Sequence, residues 1–350
     1  MEILHCAYWL ALAFLLGASV GSFINVCVAR LPYEKSLFWP GSRCGSCYQR
    51  IRAWDNVPLI GYLVLRGRCR SCGARFSVRY FVVELVTALA FTALAYFLVF
   101  ENVRQLRFLA DFWGIPFCVP PREALPLYVH HVVLLTFLLV VSLCDLNDME
   151  IPLTVTVTGT LVGLVFATLL PWPYPESLLG LRQGFLASPA QGIYPWPVWY
   201  PLPDWLPAGS WQLGLATGLA GALAGMLVLR GVRFLFGLGR GIEGLGVGDA
   251  DLMMMAGAFI GWQPVVMAFF VSVFPALLFA IVEALRRGEQ HLPFGPSLSA
   301  GVLITLLAWP AIGPHVQLVF FDPLFLGVMA GSGALILFLT AYALRLVRGK

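Results

Sequence analysis

Residues 132–152 read VVLLTFLLVVSLCDLNDMEIP, an apolar run that ends abruptly at Asp145 and gives way to polar residues before Pro152. With the apolar residues just before it, the run has the length and composition of a membrane-spanning helix. An ionisable side chain at the edge of such a helix is costly unless it is paired or hydrated. A functional role is therefore the first hypothesis for Asp145.

The composition of the whole chain agrees with a membrane location. Of its 350 residues, 59% are hydrophobic and only 11% are charged, against about 25% charged residues in a typical soluble protein. The sequence predicts an all-α polytopic membrane protein with eight to nine transmembrane helices. Segment 249–262 is the doubtful span, because 14 residues are short for a crossing. The predicted spans are 7–29, 79–100, 127–145, 152–171, 212–236, 249–262, 263–285, 297–313 and 323–346.

The basic residues predict the orientation. With nine spans and an external N-terminus, the cytoplasmic loops hold eighteen of the 22 Lys and Arg residues, as the positive-inside rule requires. The N-terminus lacks the basic region of a cleavable signal, which favours a retained helix. We expect the lipid bilayer as a partner and no nucleic acid.

Four regions follow from this topology. They are an N-terminal transmembrane helix (1–30), a cytoplasmic four-cysteine module (31–78), a second transmembrane helix with an external loop (79–126), and a helical membrane domain (127–350). The last region contains a Pro- and Trp-rich segment, 172–211, which we interpret as an external loop lying on the membrane.

Two CxxC pairs lie in the cytoplasmic module. Cys44 and Cys47 form the first pair, and Cys69 and Cys72 form the second. Two such pairs are the usual ligand set of a tetrahedral structural zinc, and four thiolates leave no open position for catalysis. Two disulfides are the alternative, which a reducing cytoplasm disfavours. The pattern predicts a small zinc-ribbon-like module.

A second acidic residue is expected at the same depth as Asp145. Asp249 follows Gly246 and Gly248, which permit a tight turn and close backbone approach. Two neighbouring carboxylates share one proton, so that one acts as a general base on water and the other as an acid. This is aspartic-protease chemistry. An N-cap role remains the simpler alternative for Asp249, and Asp251 should face away from the site.

A transporter is a further alternative, because pairs of intramembrane aspartates also relay protons or bind cations. A transporter predicts inverted repeats and a site near the midplane of the membrane. The sequence has neither feature.

Taken in order, the motifs resemble those of the prepilin leader peptidases, also called type IV prepilin peptidases, a bacterial family of membrane aspartic proteases. The resemblance covers most of the chain. The segments that carry it are GSFINV (21–26), RLP (30–32), the two CxxC pairs with NVPL (56–59) and GRC (67–69), RY (79–80), VEL (83–85), the aspartate seven residues before Pro152, GVGD (246–249), GA (257–258), GW (261–262) and PFGP (293–296).

The resemblance implies cleavage of the basic leader of prepilins or pseudopilins after a glycine, at the cytoplasmic face of the bacterial inner membrane. It assigns Asp145 and Asp249 as the catalytic pair. It also implies methylation of the new N-terminus with S-adenosylmethionine, an activity usually linked to the region of the cysteine module, and makes pilus or secretion machinery a potential partner. For Glu84 and Asn25, helix packing and hydrogen bonding are the simpler interpretation.

Three features depart from the family pattern. Asp251 stands where the family often has Lys, and Leu153 stands where it usually has Asp. Segment 172–211 and the last span are also longer than is usual.

Overall fold

The computed structural model describes residues 2–104, 109, 120, 124–170, 205–207, 210–241, 246–286 and 293–348. Within these residues the chain forms ten α-helices and no β-strand, and only two isolated β-bridges occur. The predicted all-α architecture is confirmed.

The helices are numbered in chain order. They are α1 (Glu2–Arg30), α2 (Ile60–Val64), α3 (Val78–Ala95), α4 (Ala124–Asp148), α5 (Leu153–Leu169), α6 (Trp211–Arg240), α7 (Val247–Ile260), α8 (Trp262–Arg286), α9 (Gly295–Phe321) and α10 (Pro323–Arg348). Residues 31–77 connect α1 to α3 and are called the cysteine module below.

Seven of the described helices are long and apolar enough to cross a membrane, namely α1, α3, α4, α6, α8, α9 and α10. Helix α5 is apolar but has 17 residues, and α7 has 14. The membrane fold is confirmed with seven candidate spans among the described residues, and the nine-span topology with its external N-terminus stays a prediction. Most of the predicted loop 172–211 and most of the external loop 101–126 lie outside the described residues.

The chain divides into two compact units. The first contains α1, the cysteine module, α3 and α4 up to Cys144, and the second contains Asp145 and α5–α10. We call α5–α10, together with Asp145, the helix bundle.

In the first unit, α1 and α3 pack as an antiparallel pair. A Cβ on Gly17 would lie 2.7 Å from the Cα of Ala88, and a Cβ on Gly21 would lie 2.7 Å from the Cα of Glu84. Small residues of this kind let membrane helices approach closely. Near the other end of the contact, the Asn25 side-chain amide donates a hydrogen bond to the carbonyl of Tyr80 (3.0 Å), which agrees with the packing interpretation of Asn25.

In the second unit, the short helix α7 is enclosed by its neighbours. It packs against α5, α6, α8 and α9, and most of its residues are buried. Its closest neighbour is α6, where a Cβ on Gly257 would overlap the backbone of Gly221 and a Cβ on Gly225 would overlap the carbonyl of Met253. The glycines therefore allow backbone contact between the two helices, and this contact fixes the position of α7.

Candidate active site

Asp145 occupies the last turn of α4. The helix stops three residues later, because Met149 adopts a left-handed backbone conformation (φ 54°) and Pro152 cannot continue the helix. The Asp145 side chain is only 7% exposed. Its Oδ2 accepts a hydrogen bond from the backbone N–H of Gly295, at 2.8 Å, where α9 begins.

Asp249 occupies the first turn of α7. Gly246 is the N-cap residue of this helix, and its N–H donates a hydrogen bond to Oδ2 of Asp249 at 3.2 Å. A carboxylate in the first turn is also favoured by the partial positive charge of the helix N-terminus. Asp249 is likewise 7% exposed. The N-cap interpretation of Asp249 is therefore wrong, because the helix begins earlier than predicted and Gly246 takes the N-cap position. Asp249 instead accepts the N–H of that N-cap residue through Oδ2, and no hydrogen bond to its Oδ1 occurs among the described residues.

Two glycines set how closely the surrounding segments approach the aspartates. A Cβ on Gly295 would lie 2.7 Å from Oδ2 of Asp145. A Cβ on Gly248 would lie 2.7 Å from the Cβ of Ile151, which belongs to the short connection that follows Asp145. Both glycines are needed for this packing. Gly246 and Gly295 also each donate a backbone N–H to the neighbouring aspartate.

Burial, and to a lesser extent the negative charge of Asp145, raises the pKa of Asp249. Within the described part of the chain, neither carboxylate makes a second hydrogen bond or pairs with a basic side chain. Each is held through one oxygen by a backbone N–H at the start of a helix. A pair of this kind can hold one proton between its two members and bind a water molecule.

Asp251 has a different environment, although it lies two residues after Asp249. It is 9% exposed, and its carboxylate pairs with the guanidinium of Arg230 on α6 at 3.6 Å. The structure therefore gives Asp251 a basic partner that neither Asp145 nor Asp249 has among the described residues.

The four cysteines of the module come together. The sulfur atoms of Cys44, Cys47, Cys69 and Cys72 all lie within 4.8 Å of one another, and all four are free thiols. The disulfide alternative is therefore not realised. Backbone N–H groups of Cys47 and Ser46 lower the pKa of the Cys44 thiol to about 6, which favours the thiolate that metals bind. The donor set fits a structural zinc.

The two CxxC turns are built alike, which sequence reasoning missed. In the first, the N–H of Tyr48 donates to the carbonyl of Cys44; in the second, the N–H of Gly73 donates to the carbonyl of Cys69, both at 2.9 Å. Tyr48 and Gly73 both adopt positive φ angles. An isolated β-bridge flanks each turn, Arg43 with Arg50 and Arg68 with Arg75. The shared spacing of 25 residues between equivalent positions was the available signal.

Comparison with known proteins agrees with this architecture. Residues 15–98 match the model of the bacterial peptidase A24 N-terminal domain, and residues 203–281 match the model of the type IV leader peptidase family. A Pseudomonas putida protein named prepilin leader peptidase/N-methyltransferase is 31% identical, over 86% of this chain and 91% of its own length. A protein of the same name from Aeromonas hydrophila is 30% identical, over 88% and 94%. The chain belongs to the type IV leader peptidase family.

Membership in the type IV leader peptidase family confirms the resemblance found in the sequence and makes the chain a multi-pass protein of the inner membrane. The transporter alternative has no support among these comparisons. Asp249 lies inside the second matched range, whereas Asp145 lies between the two ranges. No solved structure matches the chain.

Two contributors to the site of this leader peptidase family member were not assigned from the sequence. Gly295 was recognised only as part of a motif, yet its N–H binds Asp145. Ile151 carried no signal at all, because its role is to contact Gly248, a residue nearly a hundred positions away.

Proposed function

We propose that this protein cleaves the leader from prepilins or pseudopilins with Asp145 and Asp249 as its catalytic pair, and then methylates the new N-terminus. The supporting observation is the geometry of the two carboxylates. Both are buried, each is oriented by one backbone N–H, and the negative charge of Asp145 acts on Asp249. Family membership supplies the reaction class.

The two aspartates act as general base and general acid. In the resting pair one carboxylate is ionised and the other protonated, because neighbouring like charges disfavour double ionisation. The ionised group removes a proton from water as the water oxygen attacks the scissile carbonyl carbon. The protonated group donates its proton to the carbonyl oxygen. Collapse of the tetrahedral intermediate breaks the C–N bond, and the leaving amine takes up a proton.

The hydrogen bonds from Gly246 and Gly295 orient the two reacting carboxylates. Each fixes the Oδ2 atom of one aspartate, so Oδ1 is the atom that can meet the water or the substrate. Orientation of reacting groups accounts for a large share of enzymatic rate enhancement. The backbone donors also favour the ionised form of whichever aspartate serves as the base.

The position of the pair suits a prepilin, which has a basic leader followed by an apolar helix. The apolar helix remains in lipid and the leader lies at the membrane surface, so the scissile bond lies at the border between them. Asp145 is in the last turn of an apolar helix and Asp249 is in the first turn of another. We place the active site at the cytoplasmic face, with pilus or secretion machinery as the partner.

The second activity uses S-adenosylmethionine as the methyl donor. The four cysteines hold a structural zinc, which when bound joins the two CxxC turns. Because four thiolates complete a tetrahedral site, this metal has no open position for substrate or water. It serves the fold of the cysteine module and takes no part in peptide cleavage.

The test is coexpression with a candidate prepilin, followed by mass spectrometry of the prepilin N-terminus. Asp145→Asn and Asp249→Asn should each lower the cleavage rate by at least about a thousandfold, as loss of a catalytic group does in other proteases. Zinc content and expression should be unchanged.

Asp251→Asn is the matched control, because it makes the same chemical change two residues away in a similarly buried position. Its cleavage rate should stay near that of the unmodified protein. If the Asp249→Asn protein still cleaves prepilin at the normal rate, the assignment of the pair is wrong.

A further inference from the structure

The cysteine module exposes large apolar side chains in two clusters. Phe38 and Trp39 are 88% and 76% exposed, and the outer face of α2 exposes Ile60, Leu63 and Val64 by 58% or more. Large apolar side chains left this exposed beside a membrane span point to a binding site or a membrane contact. The attachment of the module to α1 and α3 indicates which surface these clusters meet.

Both ends of the module enter the same end of one helix pair. It leaves α1 at Arg30 and enters α3 at Val78, and these two helices are antiparallel candidate membrane spans. Packed helices lie about 8–10 Å apart. The module therefore begins and ends at one surface of the bilayer, a short distance apart.

Helix α2, which carries the cluster of Ile60, Leu63 and Val64, is held beside the first turns of α3 by two contacts. The N–H of Leu59 donates a 2.7 Å hydrogen bond to Oε2 of Glu84, and the ring of Tyr62 packs on Phe81 with centroids 5.5 Å apart. Glu84 is six residues into α3, which corresponds to about 9 Å along the helix. Helix α2 thus lies alongside the start of a membrane span, with its opposite, apolar face turned outward.

The second cluster is held against the end of α1. The guanidinium of Arg30 donates hydrogen bonds to the carbonyls of Ser36 (2.8 Å), Leu37 (3.2 Å) and Pro40 (2.6 Å). These bonds fold the segment that carries Phe38 and Trp39 back onto the helix end. Aromatic side chains at this level favour the headgroup layer of the bilayer.

A basic pocket adjoins both clusters in the sequence. It has a volume of about 520 Å³ and is lined by Gly41, Ser42, Arg50, Ile51, Arg52, Ala53, Trp54 and Asn56. None of these lining residues is acidic. The nearby Asp55 is engaged by Arg70 at 2.6 Å, and this hydrogen-bonded guanidinium holds the pKa of Asp55 below its usual range.

The charge of the module selects an anionic ligand. Residues 31–77 contain eight Lys and Arg residues and two acidic residues. A zinc ion held by four thiolates reduces this excess but leaves the module basic. Arginine binds phosphate oxygens through paired N–H groups, and basic segments next to a membrane helix are attracted to anionic headgroups.

We propose that the cysteine module is a lipid-binding element: Phe38–Trp39 and the outer face of α2 insert into the bilayer, and the Arg50–Arg52 pocket binds the phosphate of an anionic phospholipid. This contact of the module with the bilayer does not depend on leader cleavage. It gives the module a role separate from that of its metal.

Cross-linking tests the two insertions. The full chain, in vesicles of equal parts phosphatidylethanolamine and phosphatidylglycerol, carries benzoylphenylalanine in place of Phe38 or Leu63. Ser46 and Ser71, exposed positions in the two CxxC turns, are the matched controls. Illumination and mass spectrometry should find lipid adducts at positions 38 and 63 at least about tenfold more often than at 46 and 71. Equal adducts at all four positions, or only protein adducts at position 63, would overturn the proposal.

Lipid retention tests the pocket. The purified protein in detergent micelles is titrated with phosphatidylglycerol and examined by native mass spectrometry. The double variant Arg50→Gln/Arg52→Gln should bind the lipid more than about tenfold more weakly, since each arginine near an anionic surface contributes about fivefold.

The double variant Arg68→Gln/Arg75→Gln removes the same number of charges at positions outside the pocket. The logarithm of its fold-loss in lipid affinity should be less than half of that for Arg50→Gln/Arg52→Gln. Equal losses in the two double variants would show that net charge alone acts, and the pocket would be rejected. Full displacement of the lipid by excess inorganic phosphate would assign the site to free phosphate and would also reject the proposal.

Discussion

The helix bundle and the cysteine module are stabilised in different ways. In the bundle, α7 is buried on nearly all sides, and glycines bring helix backbones into contact. In the module, much of the apolar surface is exposed, α2 has five residues, and the cysteine sulfurs converge on one point. Close packing therefore positions the aspartates, whereas the module offers a cluster of thiols and an exposed apolar surface, which suit the zinc and the lipid proposed above.

The largest expected effect comes from breaking the α6–α7 contact. Gly257→Val places a branched side chain where even a Cβ would overlap the backbone of Gly221. Backbone cannot move aside as a side chain can, so the cost should exceed the about 1–3 kcal/mol typical of overpacking. We expect no folded, monodisperse protein in detergent and no prepilin cleavage, measured by size-exclusion chromatography and by mass spectrometry of the substrate.

Gly231→Val is the control for this change. Gly231 lies in α6, the other helix of this contact, and a Cβ there would meet nothing within 4 Å. This variant should elute and cleave as the unmodified protein does. If Gly257→Val also behaves normally, backbone contact is not what positions α7.

A smaller change tests the orientation of one aspartate within an intact bundle. In Gly295→Ala the added methyl group would lie 2.7 Å from Oδ2 of Asp145, so the carboxylate must shift or lose its hydrogen bond. A misplacement of this size lowers rates by about a hundredfold. The cleavage rate should fall accordingly while the thermal unfolding temperature changes little.

Gly327→Ala on α10, where a Cβ would have open space, controls for the substitution itself. Retention of full cleavage by Gly295→Ala would contradict the view that the backbone of residue 295 orients Asp145.

The sequence predicted the features that depend on the residue composition of a segment and on the order of its motifs. Apolar runs predicted the seven described helices that are long and apolar enough to cross a membrane, and two CxxC pairs predicted four converging thiols, because these signals are local in the sequence. It could not predict that Gly295 donates to Asp145 or that Gly248 contacts Ile151, since these are contacts between distant segments. Hydropathy alone also leaves the topology of α7 open, because an enclosed helix of 14 residues and a short membrane span are both apolar on every side.

The environment of Asp251 illustrates the same limit. Helical periodicity correctly suggested that Asp251 and Asp249 face different neighbours, because residues two apart point in nearly opposite directions. The partner itself, Arg230 on α6, could not be read from the sequence. Charge pairs between helices depend on how the helices are packed, and a single sequence does not record that packing.

The smallest expected effect on cleavage comes from removing the metal. Cys72→Ser takes away one of four thiolates, so the purified protein should lose its zinc, measured by inductively coupled plasma mass spectrometry. The prepilin cleavage rate should fall by no more than about threefold, because the loss of a structural metal unfolds mainly the element that it holds. Cys27→Ser, which alters a buried cysteine of α1 outside the cluster, should keep its zinc. A loss of cleavage in Cys72→Ser as large as that expected for Asp249→Asn would mean that the module and the bundle do not act independently, and the contrast between them would then fail.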